Sequence, residues 1–256
     1  MKSIAFLILC TLLASIMPVQ SQDARQWLAQ TESDYRNGSN SLALQDIDEY
    51  LNLNSSDAWA WNFKANLLIK MRRYSEAVDS FDQIILLEPS NAQAYNDRAL
   101  IIGTQRQYQE ALDSIDKALE IKPDDANIWY NKGMILETQS RYDEALEAFG
   151  QATKLDPSLD YAWYRQGLVL AKKGQFGESI PALDKAIELN SNNAFAWNTK
   201  GQVLLQQNSS QEAIVCFEKA AELKPTNKDF QDDLNKALKY QDETPQKKLS
   251  FITEPE

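Results

Sequence analysis

The chain of 256 residues contains no histidine and only two cysteines, Cys10 and Cys216. The absence of histidine excludes Ser-His-Asp and Cys-His catalysis and every metal site that needs an imidazole ligand. The sequence also has no phosphate-binding loop, metal-ligand cluster or nucleophile motif. We therefore predict that the protein is not an enzyme and holds no cofactor or metal. Cys10 lies in a segment that we expect to be removed, and we expect Cys216 to be a buried, unreactive thiol.

Glycine and proline are scarce, with eight of each, which is too few for a loop-rich β fold. Lysine and arginine together number 26 against 37 aspartates and glutamates, so the formal net charge is −11. Nucleic acids and anionic lipid surfaces are both bound through clustered Lys and Arg. We therefore predict no nucleic-acid partner and no membrane contact beyond the N-terminal segment.

The N-terminal segment has the pattern of a secretory signal peptide. Lys2 is followed by an apolar run, Ile4–Met17, which is short for a membrane span, and then by small and polar residues. Val19 and Ser21 suit the −3 and −1 positions of a cleavage site. We therefore predict a signal peptide at 1–21 and an exported protein, either secreted or in the cell envelope or periplasm. The alternative is an uncleaved anchor that tethers the chain to a membrane.

One pattern returns at a fixed period through the rest of the chain. Pro89, Pro123 and Pro157 lie 34 residues apart, and two further steps reach Ser191 and Pro225. With this residue numbered position 32, the five repeats begin at Ala58, Ala92, Ala126, Asp160 and Ala194. Position 4 is aromatic in every repeat: Trp61, Tyr95, Trp129, Trp163 and Trp197. Position 8 is small in every repeat: Ala65, Ala99, Gly133, Gly167 and Gly201. Such a period predicts a stacked repeat fold.

The spacing also predicts how each repeat folds. Positions 4, 8 and 11 share one helix face, and positions 17, 20, 24, 27 and 28 share a face of a second helix. Small residues at positions 8 and 20 let the two helices cross closely, while large residues at positions 4 and 24 fill the space beside them. Proline at position 32 ends the second helix, and an Asn, Asp or Ser near it can cap the next one, the candidates being Ser90 and Asn91, and Asp124 and Asp125. The fold class is therefore predicted to be all-α.

These repeats resemble the tetratricopeptide repeat family, as does the sequence Y-x-E-A at Tyr74–Ala77, Tyr108–Ala111 and Tyr142–Ala145. The resemblance implies a right-handed superhelical solenoid of stacked antiparallel helix pairs with a 34-residue period. The predicted repeat domain spans 22–240, followed by a disordered tail at 241–256. The predicted repeats are a degenerate one at 24–57, five clear ones at 58–91, 92–125, 126–159, 160–193 and 194–227, and a capping helix at 228–240.

Two places depart from the pattern. Pro181 lies inside a predicted second helix and is tolerated only in a first turn, so we expect that helix to start late with Ser179 as its N-cap. Ser210 replaces an aromatic residue in the last repeat, and we expect the turn before it to be loose.

The resemblance implies that positions 2, 5, 9, 12 and 13 of the first helices line a concave groove; we call these positions the groove stripe. Only three of its twenty-five residues are charged, namely Lys70, Glu137 and Lys172, and many are aromatic or amide. That composition is typical of a protein-binding surface. The candidate partner-binding residues are Trp59, Asn62, Asn66, Asn96, Tyr130, Tyr161, Tyr164, Phe195 and Asn198.

We expect the amides to pair with the backbone of an extended peptide and the aromatic side chains to set preference through pockets. The leading hypothesis is an exported scaffold that binds a protein or peptide in this groove. The alternative is a structural subunit or assembly factor of a cell-envelope or secretion complex. Two other interpretations stay open, in which the aromatic side chains seal neighbouring repeats together or stack on a glycan. On the groove hypothesis, Tyr130→Ala with Tyr164→Ala leaves thermal stability nearly unchanged.

Overall fold

The structure, a computed structural model, describes the backbone of residues 19–243 and the side chains of residues 24–239. The predicted signal segment up to residue 18 and the predicted tail from residue 244 onward lie outside the described residues. The described backbone forms thirteen α-helices and no strand, which confirms the predicted all-α class. The helices are α1 (Val19–Arg36), α2 (Asn40–Leu53), α3 (Ala58–Lys70), α4 (Tyr74–Leu87), α5 (Ala92–Thr104), α6 (Tyr108–Ile121), α7 (Ala126–Thr138), α8 (Tyr142–Leu155), α9 (Asp160–Lys172), α10 (Phe176–Leu189), α11 (Ala194–Gln206), α12 (Ser210–Leu223) and α13 (Lys228–Glu243).

The helices fall into two compact units, called here the N-terminal half (up to Ile121, α1–α6) and the C-terminal half (from Lys122, α7–α13). In the N-terminal half, α1 packs on α2, α3 on α4 and α5 on α6, and each pair contacts the next. The C-terminal half contains the pairs α7–α8, α9–α10 and α11–α12 in the same arrangement, and α13 packs on α11 and α12. Helices joined by such short turns are antiparallel neighbours. The right-handed superhelix stays a prediction.

The turn inside every helix pair uses one backbone conformation. Six residues at intervals of 34 have a positive φ: Gly38, Arg72, Arg106, Ser140, Gly174 and Asn208. After α3, Arg73 N donates to Leu68 O (2.9 Å), which is the long bond of a Schellman motif. The turn at Asn208 closes in the same way, because Ser209 N donates to Leu204 O (2.9 Å). Our expectation that this turn would be loose is therefore wrong.

The turns between pairs are held by caps and by tryptophans. The last residue of a repeat accepts a hydrogen bond from the first turn of the next helix at five positions: Asp57, Asn91, Asp125, Asn193 and Asn227. Of the predicted cap candidates, Asn91 and Asp125 are confirmed, whereas Ser90 and Asp124 do not occupy the N-cap position. The tryptophan at position 4 holds the same turn, since Trp129 Nε1 donates to Pro123 O (2.8 Å) and Trp163 Nε1 donates to Pro157 O (3.0 Å).

Each helix pair crosses closely at the small residue of position 8. A Cβ added to Gly133 would lie 2.6 Å from Phe149 Cε1, and one added to Gly201 would lie 2.7 Å from Phe217 Cε1. Phe149 and Phe217 are themselves fully buried. The predicted pairing of a small residue at position 8 with a large one at position 24 is therefore confirmed, and in these two pairs the contact leaves no room for a side chain at position 8.

Neighbouring pairs are joined by an ion pair that the sequence analysis missed. The cation at position 7 of one repeat bonds the carboxylate at position 25 of the repeat before it, as in Lys64–Asp48 (2.7 Å), Arg98–Asp82 (2.6 Å) and Lys200–Asp184 (2.5 Å). The junction between repeats 126–159 and 160–193 has Gly150 at position 25 and Gln166 at position 7, so this junction cannot form the pair. The recurrence of lysine or arginine at position 7 was the signal that could have revealed it.

Helix α10 does not start late, contrary to the prediction. It begins at Phe176 and contains Pro181. Ser179 does not cap it, because the Ser179 side chain is buried and its Oγ donates to Gly167 O (2.7 Å) on α9. Pro181 has no N–H to donate, so α10 lacks one backbone bond near its N-terminus and continues.

Helix α1 begins at Val19, before the predicted cleavage site after Ser21. The predicted site therefore lies within the first turn of this helix. Among the described residues, no helix is long and apolar enough to span a bilayer.

We predict that two glycines of one helix pair respond oppositely to alanine. Gly133→Ala forces the new Cβ against the Phe149 ring and lowers stability by about 1–3 kcal/mol, the usual cost of overpacking. Gly150→Ala on α8 meets no atom within 4 Å. It raises stability by about 0.5–1 kcal/mol, because a helix-interior glycine loses more backbone entropy on folding. Thermal unfolding of the two variants checks this, and a lower melting temperature for Gly150→Ala would contradict it.

Candidate functional site

The first helices of the C-terminal half stack in parallel and in register. Tyr161 Oη donates to Asn127 Oδ1 (2.5 Å), near the start of α9 and α7. Lys172 Nζ donates to Glu137 Oε1 (2.6 Å), near the end of the same two helices. These contacts join residues 34 and 35 apart, so the groove stripes of α7 and α9 lie side by side along their whole length.

Two tyrosines of this half form an aromatic contact on the stripe. The Tyr130 ring meets the Tyr161 ring edge-on at 4.6 Å between centroids, and Tyr130 also lies 5.8 Å from the Phe149 ring. Both tyrosines are half-buried. The pair therefore seals α7 against α9 with one side and presents the other side to solvent, so packing and exposure coexist at these two residues.

Tyr164 is more deeply placed. It packs against the buried residues Leu183, Ala196 and Val203, and burial raises the pKa of its hydroxyl. Tyr164 therefore contributes to the interior of the C-terminal half more than to an open surface.

Helix α11, the first helix of the last repeat, is partly covered by α13. The Phe195 ring meets the Phe230 ring edge-on at 5.4 Å, and Lys224 Nζ lies 4.2 Å from the Phe195 centroid. Asn198 Nδ2 donates to Asp233 Oδ2 (3.1 Å), so the stripe of α11 is engaged by the capping helix. Phe195 still has 45% of its surface exposed.

The predicted asparagines of the groove stripe do not form a row of exposed amide side chains. Asn96 and Asn198 are buried, with 4% and 6% of their surface exposed, although both occupy position 5. Asn62 and Asn66 are exposed, but they bond to each other, since Asn66 Nδ2 donates to Asn62 Oδ1 (2.6 Å). The amides therefore do not form a continuous ladder that a peptide backbone could pair with.

The N-terminal half has its own aromatic cluster, formed by Tyr35, Trp59 and Phe63. The Phe63 ring is 5.6 Å from Trp59, with the rings stacked, and 5.4 Å from Tyr35, with the rings edge-on. Lys70 Nζ lies 4.5 Å from the Tyr35 centroid. Sequence analysis named Trp59 only; Tyr35 occupies position 12 of the degenerate repeat and would have been found by extending the stripe to it.

A buried carboxylate lies between two cations on the C-terminal stripe. Glu137 on α7 is 8% exposed. It accepts from Lys172 Nζ (2.6 Å) and from Arg165 Nη1 (3.4 Å), both on α9. Arg165, which sequence analysis did not name as a site residue, is the second cation beside the single carboxylate of Glu137. Near Arg165 and Lys172 the surface therefore has one positive charge in excess, whereas the carboxylates of Asp125, Asp156 and Asp160 act on Tyr161 at the other end of α9.

No metal-binding grouping accompanies this surface among the residues that the structure describes. No cluster of three or more Cys, Asp or Glu side chains there has the arrangement of a metal site. Cys216 is buried, as predicted, and burial raises the pKa of its thiol to about 11.

Comparisons with known proteins agree with the repeat pattern. Models of the tetratricopeptide repeat match residues 62–126, 103–160 and 130–194, and another such model matches residues 194–227. No curated protein sequence matches the chain.

Several solved structures have a similar fold. One is YrrB, described as a TPR protein with an unusual peptide-binding site, at 23% identity and a TM-score of 0.57, covering 71% of this chain and 93% of that chain. Another is PilF of Pseudomonas aeruginosa, at 15% identity and a TM-score of 0.67, covering 84% and 98%. A third is yeast Tom70, at 21% identity and a TM-score of 0.64, covering 79% and 44%. At these identities the similarity shows the fold alone.

We predict that the stripe tyrosines differ in their effect on stability, which revises the expectation stated for Tyr130 and Tyr164. Tyr164→Ala removes a ring packed on the interior and costs about 2–3 kcal/mol, less than a fully buried ring would. Tyr161→Phe removes only the bond to Asn127 and costs about 1 kcal/mol or less. Thermal unfolding of both variants checks this, and equal melting temperatures would show that Tyr164 does not support the fold.

Proposed function

Because the chain belongs to the tetratricopeptide repeat family, whose members act as protein-interaction scaffolds, we propose that it binds a protein or peptide segment on the stripe of α7 and α9. We call this surface the α7–α9 face, defined by Tyr130, Tyr161, Arg165, Leu168 and Lys172. The observation that carries the proposal is the half-buried tyrosine pair on the same two helices as the cations that share Glu137. Large rigid rings supply contact area at low entropy cost, and arginine is enriched at interfaces.

The polar groups of this face favour a peptide over a glycan. Asn127 already accepts from Tyr161, and Glu137 already accepts from two cations. Sugar recognition needs several outward donors and acceptors as well as an aromatic ring. What the face offers instead is apolar contact with two cations toward its Lys172 end, which suits an apolar side chain next to a carboxylate.

The family is typically non-enzymatic, and we propose that this chain has no catalytic activity of its own. Its chemistry is then limited to association, with specificity set by which side chains fit the tyrosine pair and the cations. The similarity to YrrB, whose description names a peptide-binding site, supports this proposal without supplying a partner.

We predict that Leu168→Arg abolishes partner capture. Leu168 lies between the tyrosine pair and Lys172 along α9 and is half-buried. The arginine stem keeps most of the packing, while its charged end fills the face. Purified full-length chain is cross-linked in extract and envelope fractions of the source cells, and captured proteins are quantified by mass spectrometry. The expected loss is about tenfold or more, as for an interface hot spot.

The matched control is Val215→Arg, which places the same side chain on α12 of the same half. Val215 is 55% exposed and lies outside the stripe. A partner that is lost with Leu168→Arg and kept with Val215→Arg supports the proposal. Equal capture by both variants would overturn it and favour an assembly role through the ends of the chain.

We also propose that the protein acts outside the cytoplasm after removal of residues 1–21. The support is the order of charge, apolar run and small residues at the N-terminus. Full-length chain recovered from its native compartment is predicted to begin at Gln22, as read by mass spectrometry of its N-terminal peptide. Recovery with Lys2 and the apolar run retained would instead support the anchor alternative.

A further inference from the structure

The α7–α9 face combines apolar contact with positive charge at its Lys172 end, while Asp125, Asp156 and Asp160 act on Tyr161 at the other end. Tyr130 and Tyr161 expose ring surface, and Leu168 is half-buried beside them. Arg165 and Lys172 keep 30% and 41% of their side chains exposed while sharing the single carboxylate of Glu137. An occupant that matches this face has large apolar side chains close to carboxylates.

The chain itself contains such a segment. Residues 249–256, LSFITEPE, hold Leu249, Phe251 and Ile252 followed by Glu254 and Glu256. This segment carries two negative charges and no positive one. Its composition is therefore complementary to the α7–α9 face in both apolar and charged character.

The fold brings the segment within reach of that face. Helix α13 lies in register with α11, since Asn198 Nδ2 bonds Asp233 Oδ2, 35 residues ahead. Its last residue, Glu243, is therefore at the end of the stack where Gln206 and Lys172 also lie. Packed helices are about 8–10 Å apart, so α9 is roughly 20 Å from α13. Leu249, six residues beyond Glu243, reaches up to roughly 20 Å when the chain is extended, and Glu256, thirteen residues beyond it, reaches up to roughly 45 Å.

We propose that residues 249–256 bind the α7–α9 face of their own chain, so that a partner must displace them. This inference rests on the proposed function of that face. Tethering raises the effective concentration of the segment to about the millimolar range. A contact too weak to detect with free peptide is therefore sufficient to occupy the face in the intact chain.

The test places one fluorescent reporter in the segment of the full-length chain. Ser250→Cys is labelled with a maleimide-linked bimane, whose emission is quenched on contact with tyrosine or tryptophan. Native Cys216 is buried and its thiol has a pKa raised to about 11, and Cys10 is replaced by Cys10→Ser in every labelled chain, so neither native cysteine competes for the label. Quenching and anisotropy are measured in the labelled chain and in variants of the segment and of the face.

The segment variants leave every residue of helices α1–α13 unchanged. Glu254→Gln and Gln246→Lys each change the charge by +1, but only the first alters the carboxylates of the segment. We expect Glu254→Gln to relieve at least half of the quenching and Gln246→Lys to leave it unchanged. Equal emission from the parent, both variants and the urea-unfolded chain overturns the inference.

Face variants test the other side of the contact. Lys172→Gln is expected to release the reporter, and Lys185→Gln, on α10 where Lys185 pairs with Glu188 (3.0 Å), is the matched control. Quenching that falls on dilution would show a segment bound to a second copy and would overturn binding within one chain. A partner captured through Leu168 while the reporter is free in every variant overturns this inference and leaves the proposed function standing.

Discussion

The fold depends on one steric constraint, the close crossing of the two helices in each pair. In the C-terminal half this crossing leaves no room for a Cβ at position 8, because a large side chain at position 24 fills the space above the glycine, as Phe149 does above Gly133. Position 24 therefore buries its side chain completely, and this burial stabilises each repeat. Because the second helix makes this contact with one face of the first helix, another face of the first helix remains for the groove stripe.

Most of this could be predicted from the sequence, because each packing rule acts within one repeat and recurs at the same position. The sequence did not reveal the strained positive-φ residues of the turns or the ion pairs between neighbouring repeats. The left-handed turn residue is visible as Gly38, Gly174 or Asn208, whereas Arg72 and Arg106 in the same conformation give no signal. Likewise Pro181 was expected to delay α10, but packing of Ser179 against α9 holds the first turn in place.

The candidate site was harder to predict, because a stripe defined on one helix does not reveal what the next helix covers. Asn96 and Asn198 have the same position as Asn62, yet only Asn62 is exposed. At Asn198 the covering residue is Asp233, on a helix outside the five clear repeats. Tyr164 is likewise covered in part by buried residues of the next helix pair, such as Ala196 and Val203 on α11. Exposure at position 5 is thus a property of two neighbouring repeats together.

Charge distribution links the interior of the C-terminal half to its surface. Burying Glu137 costs solvation, and the cost is offset by two cations placed on the neighbouring helix. Because one carboxylate cannot neutralise both, Arg165 and Lys172 leave a positive excess at the surface of a strongly acidic chain. Long-range repulsion from the rest of the chain opposes any acidic ligand, but it is screened beyond about 8 Å at physiological salt. On the proposed function, this local excess favours ligands in which carboxylates lie next to apolar side chains, whether these come from a partner or from the chain itself.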